Sequence, residues 1–145
     1  MMRYTKQHSK VDCVPTAITN ASKFFGKKIS YRDHKHDLID LLDVCELGTY
    51  YPTFLKFMKK IHKVPYFGFK LKKIHKKVKF KNLVINDNQI AMFLFASHIS
   101  LVIKKTDKRA LCLNFYSNKT KSWISKKMFD KMSKENSEIM YLEKL

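Results

Sequence analysis

Glycine and proline are scarce in this chain, with three of each among 145 residues. Long flexible linkers draw on such residues, so none is expected, and the length suits a single domain spanning 1–145. No apolar run approaches the roughly 20 residues that a membrane-spanning helix needs. Met1 to Lys10 is polar and basic and lacks an apolar core, so no secretory signal is expected there. Cysteines number three, Cys13, Cys45 and Cys112. An odd, widely spaced set argues against a disulfide framework, and a reducing, cytoplasmic setting is the expectation. Arginine is limited to Arg3, Arg32 and Arg109 beside 27 lysines, and acidic residues number only 12, for a net charge of +18. A basic surface attracts nucleic acid, anionic lipid or acidic protein, but direct base recognition favours arginine. Internal repeats and low-complexity tracts are absent as well.

Hydrophobic residues make up 45% of the chain, enough for a substantial core. The richest local signal surrounds Cys13. Gln7 stands six residues before it, and a helix is expected to begin at the cysteine. Pro15 suits a first helical turn, where its missing N–H costs nothing. Ala17, Ile18, Ala21, Phe24 and Phe25 recur at helical spacing, and Gly26 ends the run. A thiol at a helix N-terminus sees unpaired N–H groups and the positive end of the dipole, which favour the nucleophilic thiolate.

Such a thiol needs a base. His98 sits between two apolar, β-prone runs, Gln89–Phe95 and Ile99–Ile103. A further short strand, Ala110–Leu113, ends at Asn114. In this order the imidazole would take the thiol proton and the amide would hold the ring in its working tautomer. Gln7 and the Cys13 N–H would supply the donors for an oxyanion.

Elsewhere, Ser30-Tyr31-Arg32-Asp33 predicts a cap for a helix from Tyr31 to Leu42, and Gly48-Thr49 a turn. Pro52 is expected to open a helix running to Ile61. Val64–Leu71 and Lys73–Phe80 are expected to pair as strands, with Leu83–Ile85 a short strand of its own. Strands over Lys121–Ile124 and Ile139–Leu142 and a helix from Ser125 to Met132 would complete the chain. Helices first and sheet second is an α+β order. Tyr50, Tyr51, Tyr66, Phe67 and Phe69 could line a cleft, but most are expected in the core. Cys45 and Cys112 are expected to be buried small hydrophobes.

Taken together, these segments resemble the papain-like cysteine peptidases of the C39 type, the bacteriocin-leader peptidases and their stand-alone relatives. The match runs through Gln7, Asp12-Cys13, the helix from Val14 to Gly26, Leu47-Gly48-Thr49, Ser97-His98-Ile99, Asn114 to Asn118, and Trp123-Ile124-Ser125. The resemblance implies a papain-like fold with N-terminal helices packed on a C-terminal antiparallel sheet. By position it implies Cys13 as nucleophile, His98 as base and later acid, Asn114 as orienting residue and Gln7 as oxyanion donor. The chain departs from the family pattern at Val14, Ser97 and Asn114-Phe115, where Gly, Gly and Asp-Pro are usual. A β-branched Val14 is expected to narrow the cleft.

The expected activity is hydrolysis of a peptide or isopeptide bond through a thioester on Cys13. The substrate would be a peptide or protein with Gly-Gly or small residues at the cut. The alternative is a catalytically weakened binding module for a peptide, an acidic protein or a nucleic acid. The run Lys70–Lys81 alternates basic and apolar residues. It is expected to form an exposed edge whose lysines oppose aggregation, with weak nucleic-acid or acidic-protein contact as its other use. No cofactor is expected. His34 and His36 are two apart and do not share a helix face, so no metal site is expected either.

Overall fold

A computed structural model describes residues 4–7, 13–29, 51–116, 118–134 and 136–145. The expected helix from Tyr31 to Leu42, the turn at Gly48, Cys45, His34 and His36 lie outside these residues. Helix α1 spans Cys13–Phe24. Its inner face carries Ala17, Ile18 and Ala21, all buried. The helix ends as its sequence predicts. Gly26 takes a left-handed φ of 88°, its N–H bonds the Lys23 carbonyl at 3.0 Å, and the Lys27 N–H bonds Ser22 at 3.0 Å. This pair of bonds is the Schellman closure, which glycine adopts without a Cβ penalty. Helix α2 spans Tyr51–Lys60 and buries Phe54 and Met58. Two short 3₁₀ turns, Ile61–Lys63 and Pro65–Phe67, then lead into the sheet.

Six strands follow: β1 Phe69–Lys76, β2 Gln89–Phe95, β3 His98–Lys105, β4 Arg109–Leu113, β5 Lys121–Ser125 and β6 Glu138–Lys144. They form one sheet in the order β1-β6-β2-β3-β4-β5, and every neighbouring pair is antiparallel. Helix α3, Lys126–Ser133, is capped by Ser125, whose hydroxyl accepts from the Met128 N–H at 3.2 Å.

Two cores lie on the two faces of this sheet. Ile90 and Met92 of β2, with Met140 and Leu142 of β6, pack with α1 and α2. The alternate residues Ala91, Phe93, Ile139 and Tyr141 join Phe129 of α3 on the other face. Period-two alternation sends neighbouring side chains to opposite faces, so a strand covered on both sides is apolar throughout. Phe93 stacks on Phe129 with ring centroids 4.4 Å apart.

Two strand expectations are corrected. Val64–Leu71 and Lys73–Phe80 do not form a hairpin. Pro65 and Gly68, the latter at φ 78°, shape a turn, and one edge strand runs to Lys76 with β6 as its partner. Nor is Leu83–Ile85 a strand. Leu83 is a buried plug, and the Lys105 ammonium donates to the Phe80 and Leu83 carbonyls at 2.7 and 2.6 Å. These main-chain acceptors are thus satisfied without a strand neighbour.

Candidate active site

The β2–β3 hairpin delivers His98. Its two turn residues, Ala96 and Ser97, have φ of 47° and 60°, and Phe95 pairs directly with His98. Positive φ at both positions is the primed two-residue turn, which ordinarily selects glycine or asparagine. Such a turn leaves the first residue of β3 little freedom. The Phe95 ring also meets the imidazole edge-on, with centroids 5.6 Å apart.

Asn114 follows β4 at φ 55°, a conformation asparagine tolerates better than most residues. Its N–H is held by the Thr120 carbonyl at 2.8 Å. The Asn114 main-chain carbonyl lies 2.6 Å from His98 Nε2. A carbonyl only accepts, so Nε2 carries the hydrogen and Nδ1 is the basic nitrogen of the neutral ring. Burial lowers the His98 pKa, and the Asn114 carbonyl opposes that shift by favouring the cation.

The Asn114 side chain does a different job from the one its position suggests. Its Oδ1 accepts from the Gln7 N–H at 3.0 Å, and its Nδ2 donates to the Thr5 carbonyl at 3.0 Å. It thus binds the N-terminal segment as a neighbouring strand would. The residue stands beside His98, but the contact comes from the backbone. Asn20 of α1 holds Thr5 from the other side, accepting from its N–H at 2.7 Å and donating to its carbonyl at 2.9 Å. Lys23 adds a bond to the Thr5 hydroxyl at 2.8 Å. Gln7, 5% exposed, is therefore fixed against the body of the protein. Sequence reasoning missed Thr5 and Asn20. A buried asparagine in the apolar register of α1 was the available signal.

Cys13, half-buried, is the first residue of α1. Cys13 and His98 line one cleft of about 820 Å³, together with Val14, Phe54, Ser97 and Met132. Tyr51 lies on its rim and donates to the Glu138 carboxylate. Burial, then the neighbouring carboxylate, raises the Tyr51 pKa and keeps its hydroxyl a donor. Phe67 and Phe69 are buried, whereas Tyr66 is exposed. Cys112 is wholly buried, and burial pushes its thiol up to about 12, which makes it inert. Among the described residues no group of three metal-ligating side chains occurs, and no helix is long and apolar enough to cross a membrane.

The architecture is that of the papain-like C39 peptidase domains, with helices and an antiparallel sheet meeting at a cleft. One solved structure it matches is the peptidase domain of Streptococcus ComA, a bi-functional ABC transporter involved in a quorum-sensing pathway. That match covers 100% of both chains with a TM-score of 0.68 and 15% sequence identity. Another is a double-glycine-motif protease from an AMS/PCAT transporter in complex with the leader peptide. There the TM-score is 0.69 and the identity 12%, over 97% of this chain and 91% of the other. No protein-family model and no curated protein matches the sequence.

Proposed function

We propose that this protein is a cysteine peptidase that cleaves a peptide or isopeptide bond through a thioester on Cys13. The observation that carries this reading is the shared cleft. It brings a cysteine at a helix N-terminus together with a histidine whose Nε2–H is anchored on the Asn114 carbonyl. His98 takes the Cys13 proton, and the thiolate sulfur attacks the scissile carbonyl carbon. The oxyanion is stabilised by the Cys13 N–H and the Gln7 side-chain amide. His98 then protonates the leaving amine, and the C–N bond breaks to leave the thioester. Water, deprotonated by His98, attacks the thioester and releases the acid and the thiol.

The leader peptide bound by one structural neighbour supports a peptide substrate here. Val14 on the cleft wall favours small residues at the cut, with Gly-Gly the first choice. A thiolate mechanism needs Cys13 reduced, which fits a reducing, cytoplasmic location. A panel of Gly-Gly-containing peptides, followed by mass spectrometry, is the direct test. Cleavage by the wild type is expected to be lost in Cys13→Ala and in His98→Ala. Cleavage that survives Cys13→Ala would overturn the mechanism.

A further inference from the structure

The cleft is apolar on its floor and cationic on its rim. Val14, Phe54, Leu94 and Met132 supply apolar surface, whereas Lys76, Lys77, Lys131 and Lys134 stand around it. All four lysines are exposed, and among the described residues none is in an ion pair; the recorded pairs are Lys70 and Lys72 with Glu143. Among the described residues the one carboxylate on the lining, Glu138, accepts the Tyr51 hydroxyl. Two of the lysines sit on fixed backbone. Lys76 is paired with Glu138 in the β1–β6 ladder, and the Lys77 N–H bonds the Ser137 carbonyl at 3.1 Å. The other two are at the end of α3, one in its last turn and one at its C-cap. They complement the helix dipole there, but Lys76 and Lys77 have no such explanation. A low-dielectric cleft bordered by charge of one sign focuses its field on whatever enters.

We propose that this cleft selects peptides carrying a carboxylate side chain close to the scissile bond, a specificity that presupposes the peptidase reading of the same site. The four lysines meet the acidic side chain while the apolar floor takes its neighbours. Nucleic acid fits the cleft less well. Among the described residues no arginine lines it, and the aromatic ones that do are Tyr51, Phe54 and Phe95, of which the last two are buried, so these residues offer bases little to stack on. A second basic depression, lined by Lys79, Lys81 and Lys105, contains Asp107 and Asp130 as well. It lies apart from Cys13 and provides an internal control.

The test uses two fluorescein-labelled peptides, identical around a Gly-Gly pair except that glutamate residues flanking it in one are glutamine in the other. Binding is read by anisotropy with the Cys13→Ala protein, and cleavage is read with the wild type. The glutamate peptide is expected to bind about fivefold more tightly at low ionic strength, with the preference vanishing near 1 M salt. Lys131→Glu/Lys134→Glu is expected to reverse the preference, and Lys79→Glu/Lys81→Glu, with the same change in net charge, to leave it intact. Should the reversed pair fail to fold, Lys131→Gln/Lys134→Gln is expected to weaken the preference instead. Equal binding of the two peptides, or a preference indifferent to residues 131 and 134, would overturn the proposal. Cleavage of both peptides at equal efficiency would do the same while sparing the peptidase reading. Selective binding to Cys13→Ala without cleavage of either peptide by the wild type would overturn the peptidase reading and leave charge selection standing.

Discussion

Asn114 shows how much one residue can hold in place. Its backbone carbonyl sets the His98 tautomer while its amide ties down Thr5 and Gln7. The C39 pattern usually has aspartate at this position, and the geometry accounts for the amide. A carboxylate cannot donate, so Asn114→Asp would set a buried negative oxygen against the Thr5 carbonyl. A loss of about 1–3 kcal/mol in stability is expected, checked by urea denaturation at neutral pH; an unchanged midpoint would refute the clamp. His98 yields a pH prediction. Its folded pKa is lowered, chiefly by burial, so the unfolded chain binds the proton more readily. Stability from this group is complete above the unfolded-state pKa of about 6.5 and declines as pH falls through that value towards the lower folded one. Thermal melts of the wild type should therefore lose more stability on acidification through this window than those of His98→Gln. The places of Cys13 at a helix start and of His98 at a strand end were legible in the sequence because such boundary signals are local. The use of the Asn114 amide was not, since its partner Thr5 lies 109 residues away and no local pattern encodes that contact.

The elements follow the same division. α1 and α3 end or begin at residues with strong local preferences, Gly26 and Ser125, and both boundaries are where the sequence puts them. The basic stretch after Val64 reads as a hairpin because its alternation is correct for a strand, but nothing local names the partner. That partner, β6, is the last element of the chain. Leu83–Ile85 has strand composition, yet tertiary contacts take the carbonyl and the side chain of Leu83. The β2–β3 turn is where element and function conflict. Ala96 has φ 47°, and left-handed backbone costs a residue with a Cβ roughly 1–2 kcal/mol. After allowance for the extra unfolded-state entropy of glycine, Ala96→Gly should stabilise the protein by about 0.5–1 kcal/mol. The urea midpoint should rise with an unchanged slope; a fall would mean that the alanine methyl packs usefully.

Across the whole molecule, charge and core oppose each other. Thirty basic residues face twelve acidic ones, while the sheet buries aromatic and aliphatic side chains on both faces. Self-repulsion of this size weakens the compact state. Raising chloride salt from about 0.1 M to about 1 M shortens the Debye length from about 10 Å to about 3 Å, so the melting temperature should rise. A flat or falling melting temperature would show that the lysines are not in net conflict. Four of these lysines border the Cys13 cleft, so under the proposed specificity the overall composition would bear on the choice of substrate.

The central claim, a thiolate on Cys13 sustained by His98, is tested most directly by iodoacetamide alkylation of the native protein against pH, read by peptide mass spectrometry. Cys112, buried and with its thiol pushed up to about 12, is the internal control, and His98→Ala is the comparison. Fast labelling of Cys13 well below the ordinary thiol pKa of about 8.5, lost in His98→Ala, is the predicted result. Labelling of Cys13 that follows an ordinary thiol and ignores residue 98 would contradict it, and the molecule would then be a binding module on a peptidase fold.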